Sequence, residues 1–419
     1  MERNIENIVL DPISPIIIID ISMLFYNAYF EAMSKFYLAN GDNRLAYREM
    51  MKEIRQINAP DIQTFKTLAA LIVRRGDLID YINIHKNNKF MILFKTVIER
   101  LIKKICNTVS SAPYRYGNAL LVKDCRRYDN WRTQKFNFYK KQRASRDIVT
   151  NHLQFNGKVV EEFWNEVYPR LKNELGIRIL NLPTLEADDL AYFAKLKIRQ
   201  VLPTAQIIIV TRDYDYLQLV DDKTSIITFD GIDLNSRGFG SPLLNLSIKI
   251  MTGDVSDNIS PIFYGCGEKT AQKILLKLYP QFENDINLAA EQFINDIENI
   301  TNVSIMGRNI MRVVTESLSA RSRGRPISTP SRIPDENTII KNLTQNILLI
   351  QMTKIPIQFI EQFNNKYNFT TYELGIQQFE RLIDNRSSVI QQQQIIEQKR
   401  HSADEIFSKK VRSNKKRSY

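Results

Sequence analysis

The stretch PIIIID, residues 15–20, predicts a buried β-strand and indicates the class of fold. A short run of β-branched residues is typical of a strand that is buried on both faces of a parallel sheet. Three further apolar runs have the same character: ALLV (119–122), QIIIV (206–210) and SIITF (225–229). Longer segments between them predict helices over 45–57, 63–75, 91–106, 160–175 and 185–200. This alternation predicts an α/β fold with a mainly parallel sheet flanked by helices.

From about Leu246 the sequence no longer has the short apolar runs that predict strands, and its pattern predicts helices instead. We therefore expect an α/β region over 1–245, a helical region over 246–385, and a basic, disordered tail over 386–419. The segment SARSRGRPISTPSRIP (319–334) is rich in Ser, Arg and Pro, which predicts a loop or linker.

Composition narrows the class of partner. The 419 residues include 58 Lys and Arg against 46 Asp and Glu, a formal net charge of +12. Such a balance favours an anionic partner, nucleic acid before a membrane surface, although a generic basic protein would share it. Three cysteines without a CxxC pair and three histidines exclude an obvious zinc site and argue against a disulfide framework. We expect an intracellular protein without a signal peptide or membrane span.

Acidic residues follow the predicted strands. Asp20, Asp124 and Asp213 come after three of them, with Asp215 two residues on. The carboxyl ends of parallel strands meet at one edge of a sheet, so these residues can converge there. The remaining acidic residues of interest are Glu186, Asp188 and Asp189 in EADD, which opens a helix, and Asp254 and Asp257 in TGDVSDNI.

Converging carboxylates would repel one another. Two of them about 4 Å apart cost roughly 1 kcal/mol in water and about 4 kcal/mol at a protein surface. Carboxylates without histidine or cysteine ligands suit hard cations such as Mg²⁺ or Mn²⁺. Two such ions about 4 Å apart can activate a water and stabilise the leaving oxygen of a phosphodiester. The set therefore favours a metal site.

Each acidic motif also has an ordinary structural interpretation. Acidic residues at a helix N-terminus cap free N–H groups and favour the helix dipole, which would explain EADD. The aspartates of TRDYD and GDVSDN would equally suit turns. The joint occurrence of the motifs, in this order after strands, favours the metal interpretation.

A basic stretch follows Asp124. Eight Lys or Arg lie between residues 126 and 146, namely Arg126, Arg127, Arg132, Lys135, Lys140, Lys141, Arg143 and Arg146, interleaved with Trp131, Phe136, Phe138 and Tyr139. Cations neutralise phosphates and aromatic faces stack on unpaired bases, so this stretch favours nucleic-acid binding. A solvated helix face with aromatics on its core side is the alternative.

A glycine turn begins the stretch YGCGEKTAQKILLKL, which contains Gly265, Gly267, Lys269 and Thr270. A Gly-x-Gly turn entering a helix can present backbone N–H groups to a phosphate. The spacing is not that of a P-loop, and an ordinary helix–turn–helix would share it.

Taken in order, IIIIDIS, the Asp124 segment with WRTQKFNFYKKQR, EADD, TRDYDYLQL, GDVSDNI and GCGEKTAQKIL resemble the 5′-nuclease family over about residues 15–280. This family comprises flap endonucleases, phage 5′–3′ exonucleases of the RNase H type and the 5′-nuclease domains of bacterial DNA polymerases. The resemblance implies a PIN-like core, a helical arch over about 126–150 and a helix–three-turn–helix element that binds duplex. The separation of Asp20 and Asp124 is longer than expected for phage members and predicts an inserted helical segment.

The resemblance also assigns residues. It implies that Asp20, Asp124, Glu186 and Asp188 hold one metal ion, and that Asp189, Asp213, Asp215, Asp254 and Asp257 hold or orient the second. Lys140 and Arg143 would contact the scissile phosphate. Nucleic-acid contacts would come from Arg132, Lys135, Lys141, Arg146, Gly265, Gly267, Lys269 and Thr270.

The expected function is a two-metal 5′–3′ nuclease, using Mg²⁺ or Mn²⁺, that hydrolyses phosphodiesters at 5′ flaps or RNA primers on DNA during replication or repair. The expected partners are DNA, an RNA–DNA hybrid and a single-strand-binding or other replication protein. The compact organisation is similar to that of viral or phage enzymes, which implies a monomer in the host cytoplasm. The alternatives are a catalytically inactive DNA-structure reader, an aspartyl phosphatase and a PIN-type ribonuclease. The phosphatase would want an Asp-x-Asp after the first strand, which Asp20-Ile21-Ser22 does not supply.

Overall fold

A computed structural model describes residues 5–39, 86–109, 117–142, 157–322 and 335–371. Contacts divide the chain into a unit of residues 1–370 and a unit of residues 371–419. The predicted helices at 45–57 and 63–75 and the predicted tail lie outside the described residues. The division of the chain at residues 245 and 385 stays a prediction.

The structure contains a five-stranded parallel sheet. The strands along the chain are β1 (Glu6–Leu10), β2 (Ile16–Asp20), β3 (Ala119–Val122), β4 (Arg178–Leu180), β5 (Ile207–Val210), β6 (Thr224–Ile227) and β7 (Tyr367–Thr371). The parallel sheet has the order β4-β3-β2-β5-β6, and β1 pairs with β7 in a separate two-stranded sheet. The register aligns Asp20 with Val122 on one side of β2, and Ile19 with Val210 on the other.

Helices flank and follow the sheet. They are α1 (Ile21–Ala39), α2 (Asn88–Val109), α3 (Trp131–Lys135), α4 (Gly157–Glu162), α5 (Tyr168–Leu175), α6 (Ala187–Val201), α7 (Pro242–Thr252), α8 (Glu268–Leu278), α9 (Ile286–Ile297), α10 (Ile300–Ser322), α11 (Glu336–Ile350) and α12 (Ile357–Lys366). A π-helical turn, Phe163–Val167, joins α4 to α5.

The isoleucine run of β2 shows why this sheet is covered on both faces. Side chains alternate along a strand, so Ile17 and Ile19 enter one core with α1 and α2. Ile16 and Ile18 enter a second core on the opposite face, with α6 and α12. All four are fully buried. A third core lies among the helices from α7 to α11.

The predicted α/β class with a mainly parallel sheet is confirmed, and the helical region beyond Leu246 is observed. Strands β1, β4 and β7 were not predicted; β4 is only three residues long, too short for a periodicity to register. Residues 319–322 of the predicted loop are helical, because α10 continues to Ser322, and residues 323–334 lie outside the described residues. Among the described residues, no helix combines the length and apolar character needed to cross a bilayer.

Candidate active site

Three aspartates that follow strands lie together at the carboxyl edge of the sheet. Asp20 ends β2, and Asp124 and Asp213 follow the flanking strands β3 and β5. A cavity of about 480 Å³ opens at this edge, and we call it the acidic cavity. Its lining includes Asp20, Asp124, Glu186, Asp188, Asp213, Asp215, Asp254 and Asp257, together with Ser22, Met23, Lys140, Ala187, Arg212, Tyr214, Tyr216, Lys249 and Ser256. The structure therefore brings together every predicted carboxylate except Asp189.

Asp20 lies at the base of this cavity and is buried. Its Oδ2 atom accepts hydrogen bonds from the hydroxyls of Thr211 and Tyr216, each at 3.2 Å. Burial, followed by the charges of Asp124 and Asp213, raises the pKa of Asp20 to about 7. The carboxylates thus repel one another as the sequence predicted, and a cation among them would relieve the repulsion.

The residues at the N-terminal end of α6 both cap the helix and line the acidic cavity. Glu186 is the N-cap, and its backbone N–H donates to Asp189 Oδ2 at 3.2 Å in a capping box. The N–H of Ala187 donates to Asp124 Oδ1 at 2.9 Å, which ties the helix to the end of β3. The capping interpretation of EADD is therefore confirmed, while Glu186 and Asp188 also line the acidic cavity.

Asp189 is fully buried and pairs with Arg132, which is also buried. The guanidinium donates to both carboxylate oxygens of Asp189, and its Nη1 lies 3.2 Å from Glu186 Oε2. Its Nε donates to the carbonyl of Leu349 at 2.9 Å. The structure thus places these two predicted site residues in an internal ion pair; their roles toward metal and nucleic acid stay predictions.

Lys140 reaches into the acidic cavity from the basic stretch. Its ammonium pairs with Glu186 and lies 3.5 Å from Asp257 Oδ2. The hydroxyl of Tyr139 is 2.8 Å from Glu186 Oε2 and 3.1 Å from Asp257 Oδ2. Burial raises the pKa of Glu186, but Lys140 and then Arg132 outweigh it and lower that pKa to about 2. Glu186 is therefore ionised throughout the physiological range.

Asp215, Asp254 and Asp257 form a tight group at the far side of the cavity, with carboxylate oxygens within 4.8 Å of one another. The ammonium of Lys249 pairs with Asp215 and lies 2.9 Å from Asp254 Oδ2. Burial raises the pKa of Asp254, but Lys249 lowers it to about 2. Lys140 and Lys249 thus each lie close to two carboxylates of this cavity.

The donor set fits a divalent cation. Every residue of the cavity that is a common metal ligand is a carboxylate, and no histidine or cysteine lines it among the described residues. Hard ions such as Mg²⁺ and Mn²⁺ prefer oxygen donors of this kind. A divalent cation is the expected occupant on that chemistry.

Among the described residues, the predicted nucleic-acid residues Lys135 and Lys141 are not part of the lining of the acidic cavity. Lys135 and Lys141 are exposed on the basic stretch. Arg143 and Arg146 lie outside the described residues. The roles predicted for these four residues stay predictions.

The glycine turn leads directly into α8, as its sequence indicates. Gly265 has φ of +88°, a left-handed conformation that favours glycine, and Gly267 is the N-cap. The N–H of Thr270 donates to Gly267 O at 2.9 Å. Gly265, Gly267 and Lys269 are exposed, so the turn is accessible to a partner.

Four residues of the site were not predicted from the sequence: Lys249, Thr211, Tyr216 and Ser22. Ser22 donates to Asp124 Oδ2 at 2.6 Å. Lys249 had a signal, because it is the sole charged residue of α7, PLLNLSIKIMT, and stands just before the turn that carries Asp254. Thr211 and Tyr216 flank Asp213 in sequence, but their contact with Asp20 depends on the pairing of β2 with β5.

Comparison with known proteins gives a family match. The family model described as the 5′-3′ exonuclease, N-terminal resolvase-like domain matches residues 92–239. A thermostable DNA polymerase I of Thermus filiformis is 37% identical over 112 residues, which are 25% of this chain and 13% of that protein. A 5′-3′ exonuclease of Buchnera aphidicola subsp. Schizaphis graminum is 27% identical over 213 residues, 48% of this chain and 68% of that protein.

Solved structures with some likeness include a bacteriophage T5 flap endonuclease in a pseudo-enzyme–product complex with DNA and metal ions. Its TM-score is 0.42 and its identity 14%, covering 83% of this chain and 95% of that one. A zinc-bound T5 5′-exonuclease has a TM-score of 0.41 and 14% identity, covering 85% of this chain and 97% of that one.

The family match spans five of the eight carboxylates that line the acidic cavity: Asp124, Glu186, Asp188, Asp213 and Asp215. It covers about a third of the chain, and the strand-end aspartate Asp20 lies outside it yet completes the same cavity. The resemblance to the 5′-nuclease family is confirmed by the family model over residues 92–239.

Proposed function

We propose that this protein is a divalent-metal-dependent 5′–3′ nuclease that hydrolyses phosphodiesters at 5′ flaps or at RNA primers on DNA. One observation carries the proposal: eight carboxylates from separate parts of the chain line one cavity together with Lys140 and Lys249. A purely structural cluster would have little reason to gather so many like charges.

The carboxylates divide into two groups that would each hold one cation. Asp20, Asp124, Glu186 and Asp188 would hold the first; Asp213, Asp215, Asp254 and Asp257 would hold the second. When bound, such cations supply the charge that activates water and stabilises a leaving oxygen. Mg²⁺ is the proposed ion and Mn²⁺ the alternative.

Lys140 is the group of this chain that is best placed to meet a scissile phosphate. Its ammonium lies at the cavity and is held there by Glu186 and the neighbouring Asp257. Its backbone N–H donates to Asp257 O at 2.8 Å, which fixes the residue in a left-handed conformation with φ of +53°. A preorganised cation of this kind stabilises charge that develops on a phosphate. Arg143 would add a second cation.

The proposed partner is DNA carrying a 5′ single strand, or an RNA–DNA hybrid. The net charge of +12 supports an anionic ligand, and Lys135, Lys141 and the exposed turn at Gly265 would contact its backbone. We further propose a monomer that acts inside the cell, in the host cytoplasm if it is viral, beside a single-strand-binding or other replication protein.

A cleavage assay tests the proposal. A 5′-labelled flap duplex and an RNA primer on DNA are incubated with Mg²⁺, with Mn²⁺ and with EDTA. The Asp254→Asn variant should lose at least about 100-fold in turnover, because even the loss of an outer partner of a metal ligand costs up to that much. Asp222→Asn is the matched control, since this aspartate is exposed and is not a lining residue of the acidic cavity.

Binding is measured on the same substrates by fluorescence anisotropy, so that catalysis and recognition separate. Metal-dependent release of short 5′ products, lost in Asp254→Asn but kept in Asp222→Asn, would support the nuclease. Tight binding of the flap without cleavage in either metal would overturn it in favour of a catalytically inactive DNA-structure reader.

A further inference from the structure

A second cavity, of about 470 Å³, lies at the β4 side of the sheet. Its lining includes the cations of Lys123, Lys172 and Arg178 and the rings of Trp164 and Tyr168. Glu6 is the one carboxylate among its lining residues. We call it the basic–aromatic cavity, since three cations face one acid beside two aromatic side chains.

The basic–aromatic cavity and the acidic cavity are lined in part by consecutive residues of the chain. Lys123 lines the former, and the next residue, Asp124, lines the latter. Consecutive Cα atoms are about 3.8 Å apart. The segment that follows β3 thus contributes a residue to each cavity.

The aromatic wall of this cavity is built by an unusual piece of backbone. Trp164 belongs to the π-helical turn Phe163–Val167. Such turns are rare in proteins, and those that do occur are often found at functional sites. Its ring lies 5.7 Å from that of Tyr168. The ammonium of Lys123 lies 4.0 Å from the centroid of the Trp164 ring, a cation–π contact.

We propose that the basic–aromatic cavity binds one nucleotide of a single strand, with its phosphate at Lys123, Lys172 and Arg178 and its base against Trp164. Cations that neutralise phosphate and an aromatic face that accepts a base are the two components of single-strand binding sites. An anion site alone would need no aromatic wall. The proposal rests on the proposed function where it takes the strand to be part of the substrate; a free nucleotide is the other source of the same chemistry.

Tryptophan fluorescence provides the test, because the chain has two tryptophans and Trp131 is buried. The full-length protein is titrated in EDTA with an oligothymidylate, with dTMP and with inorganic phosphate. The test variant is Lys172→Ala/Arg178→Ala. The control is Lys103→Ala/Lys104→Ala, which removes the same charge from exposed positions on α2 outside the cavity.

We expect saturable quenching by the oligothymidylate, about tenfold weaker binding in the test variant and unchanged binding in the control. Trp164→Phe, which keeps an aromatic ring, should lose the signal. Equal quenching by dTMP would assign the cavity to free nucleotides. Equal binding by test variant and control, competition by an acidic peptide as strong as that by the oligonucleotide, or a response to phosphate alone would overturn the proposal. The loss of flap cleavage in Asp254→Asn is scored separately, so either proposal can fail alone.

Discussion

Arg132 and Asp189 form a doubly hydrogen-bonded ion pair inside the protein. Nη1 lies 2.8 Å from Oδ2, and Nη2 lies 2.8 Å from Oδ1. Both side chains are buried, with 2% and 0% of their surface exposed. Arg132 stands at the start of the basic stretch and Asp189 in the first turn of α6, so the pair joins the segment that carries Lys140 to the helix that carries Glu186.

Replacing Arg132 by alanine should lower the free energy of unfolding by about 3–5 kcal/mol, because it leaves the charge of Asp189 buried without its partner. Urea unfolding followed by circular dichroism measures this change. Arg100→Ala is the matched control, since its pair with Glu31 lies at the surface and should contribute about 0–1 kcal/mol. Equal losses of unfolding free energy in the two variants would show that the buried pair stabilises the protein no more than an exposed pair does.

The titration of Asp20 should make the metal-free protein less stable as pH rises. Its pKa is about 7 in the folded protein against an ordinary value of 3.8, so between these values the folded state keeps a proton that the unfolded state has released. The free energy of unfolding then falls with rising pH, by up to about 1.4 kcal/mol per unit. In EDTA, Asp20→Asn should flatten this slope between about pH 4 and about pH 7. An identical slope in the variant would place the proton elsewhere.

Much of the fold and most of the site could be predicted because both depend on local sequence. The isoleucine run of β2 needs no distant partner to read as a buried strand, and Asp20 and Asp124 follow their strands in sequence. The rule that parallel strands end at one edge then brings these residues together without knowledge of the packing.

What escaped prediction depends on contacts between distant segments. Arg132 is one of several cations in a basic stretch, and only its contacts with Asp189 and with Leu349, 217 residues away, bury it. The pairing of Glu186 with Lys140 likewise joins two segments that are 46 residues apart in sequence. The composition of the basic stretch cannot distinguish a buried, paired cation such as Arg132 from a cation that binds phosphate.

Lys249 should weaken metal binding in the free protein, because its ammonium occupies the carboxylates of Asp215 and Asp254. We expect Lys249→Met to bind Mn²⁺ about tenfold more tightly, which corresponds to about 1.4 kcal/mol. Isothermal titration calorimetry measures the affinity. Lys195→Met is the control, since that lysine pairs with Asp221 outside the cavity. Weaker binding in Lys249→Met would mean that the lysine orients the carboxylates instead of competing for them.

Gly253 immediately precedes Asp254 and allows the turn that carries it. Its φ is +67°, and a Cβ atom there would lie 2.4 Å from the carbonyl oxygen of Ile259 and 2.6 Å from that of Ser260. Backbone atoms cannot move aside as a flexible side chain can, so Gly253→Ala must displace the turn. We expect it to lower both the free energy of unfolding, by roughly 1–3 kcal/mol, and the rate of flap cleavage.

Gly265→Ala separates backbone strain from this steric contact. Gly265 also has a positive φ, of +88°, but an added Cβ would meet no atom within 4 Å. Both variants carry the conformational cost of a left-handed alanine, and only Gly253→Ala adds the collision beside Asp254. Urea unfolding and metal-dependent cleavage are measured on both proteins. Gly253→Ala should lose more stability than Gly265→Ala and should bind Mn²⁺ more weakly; metal affinity unchanged from the wild type would show that the turn at Asp254 does not depend on this glycine.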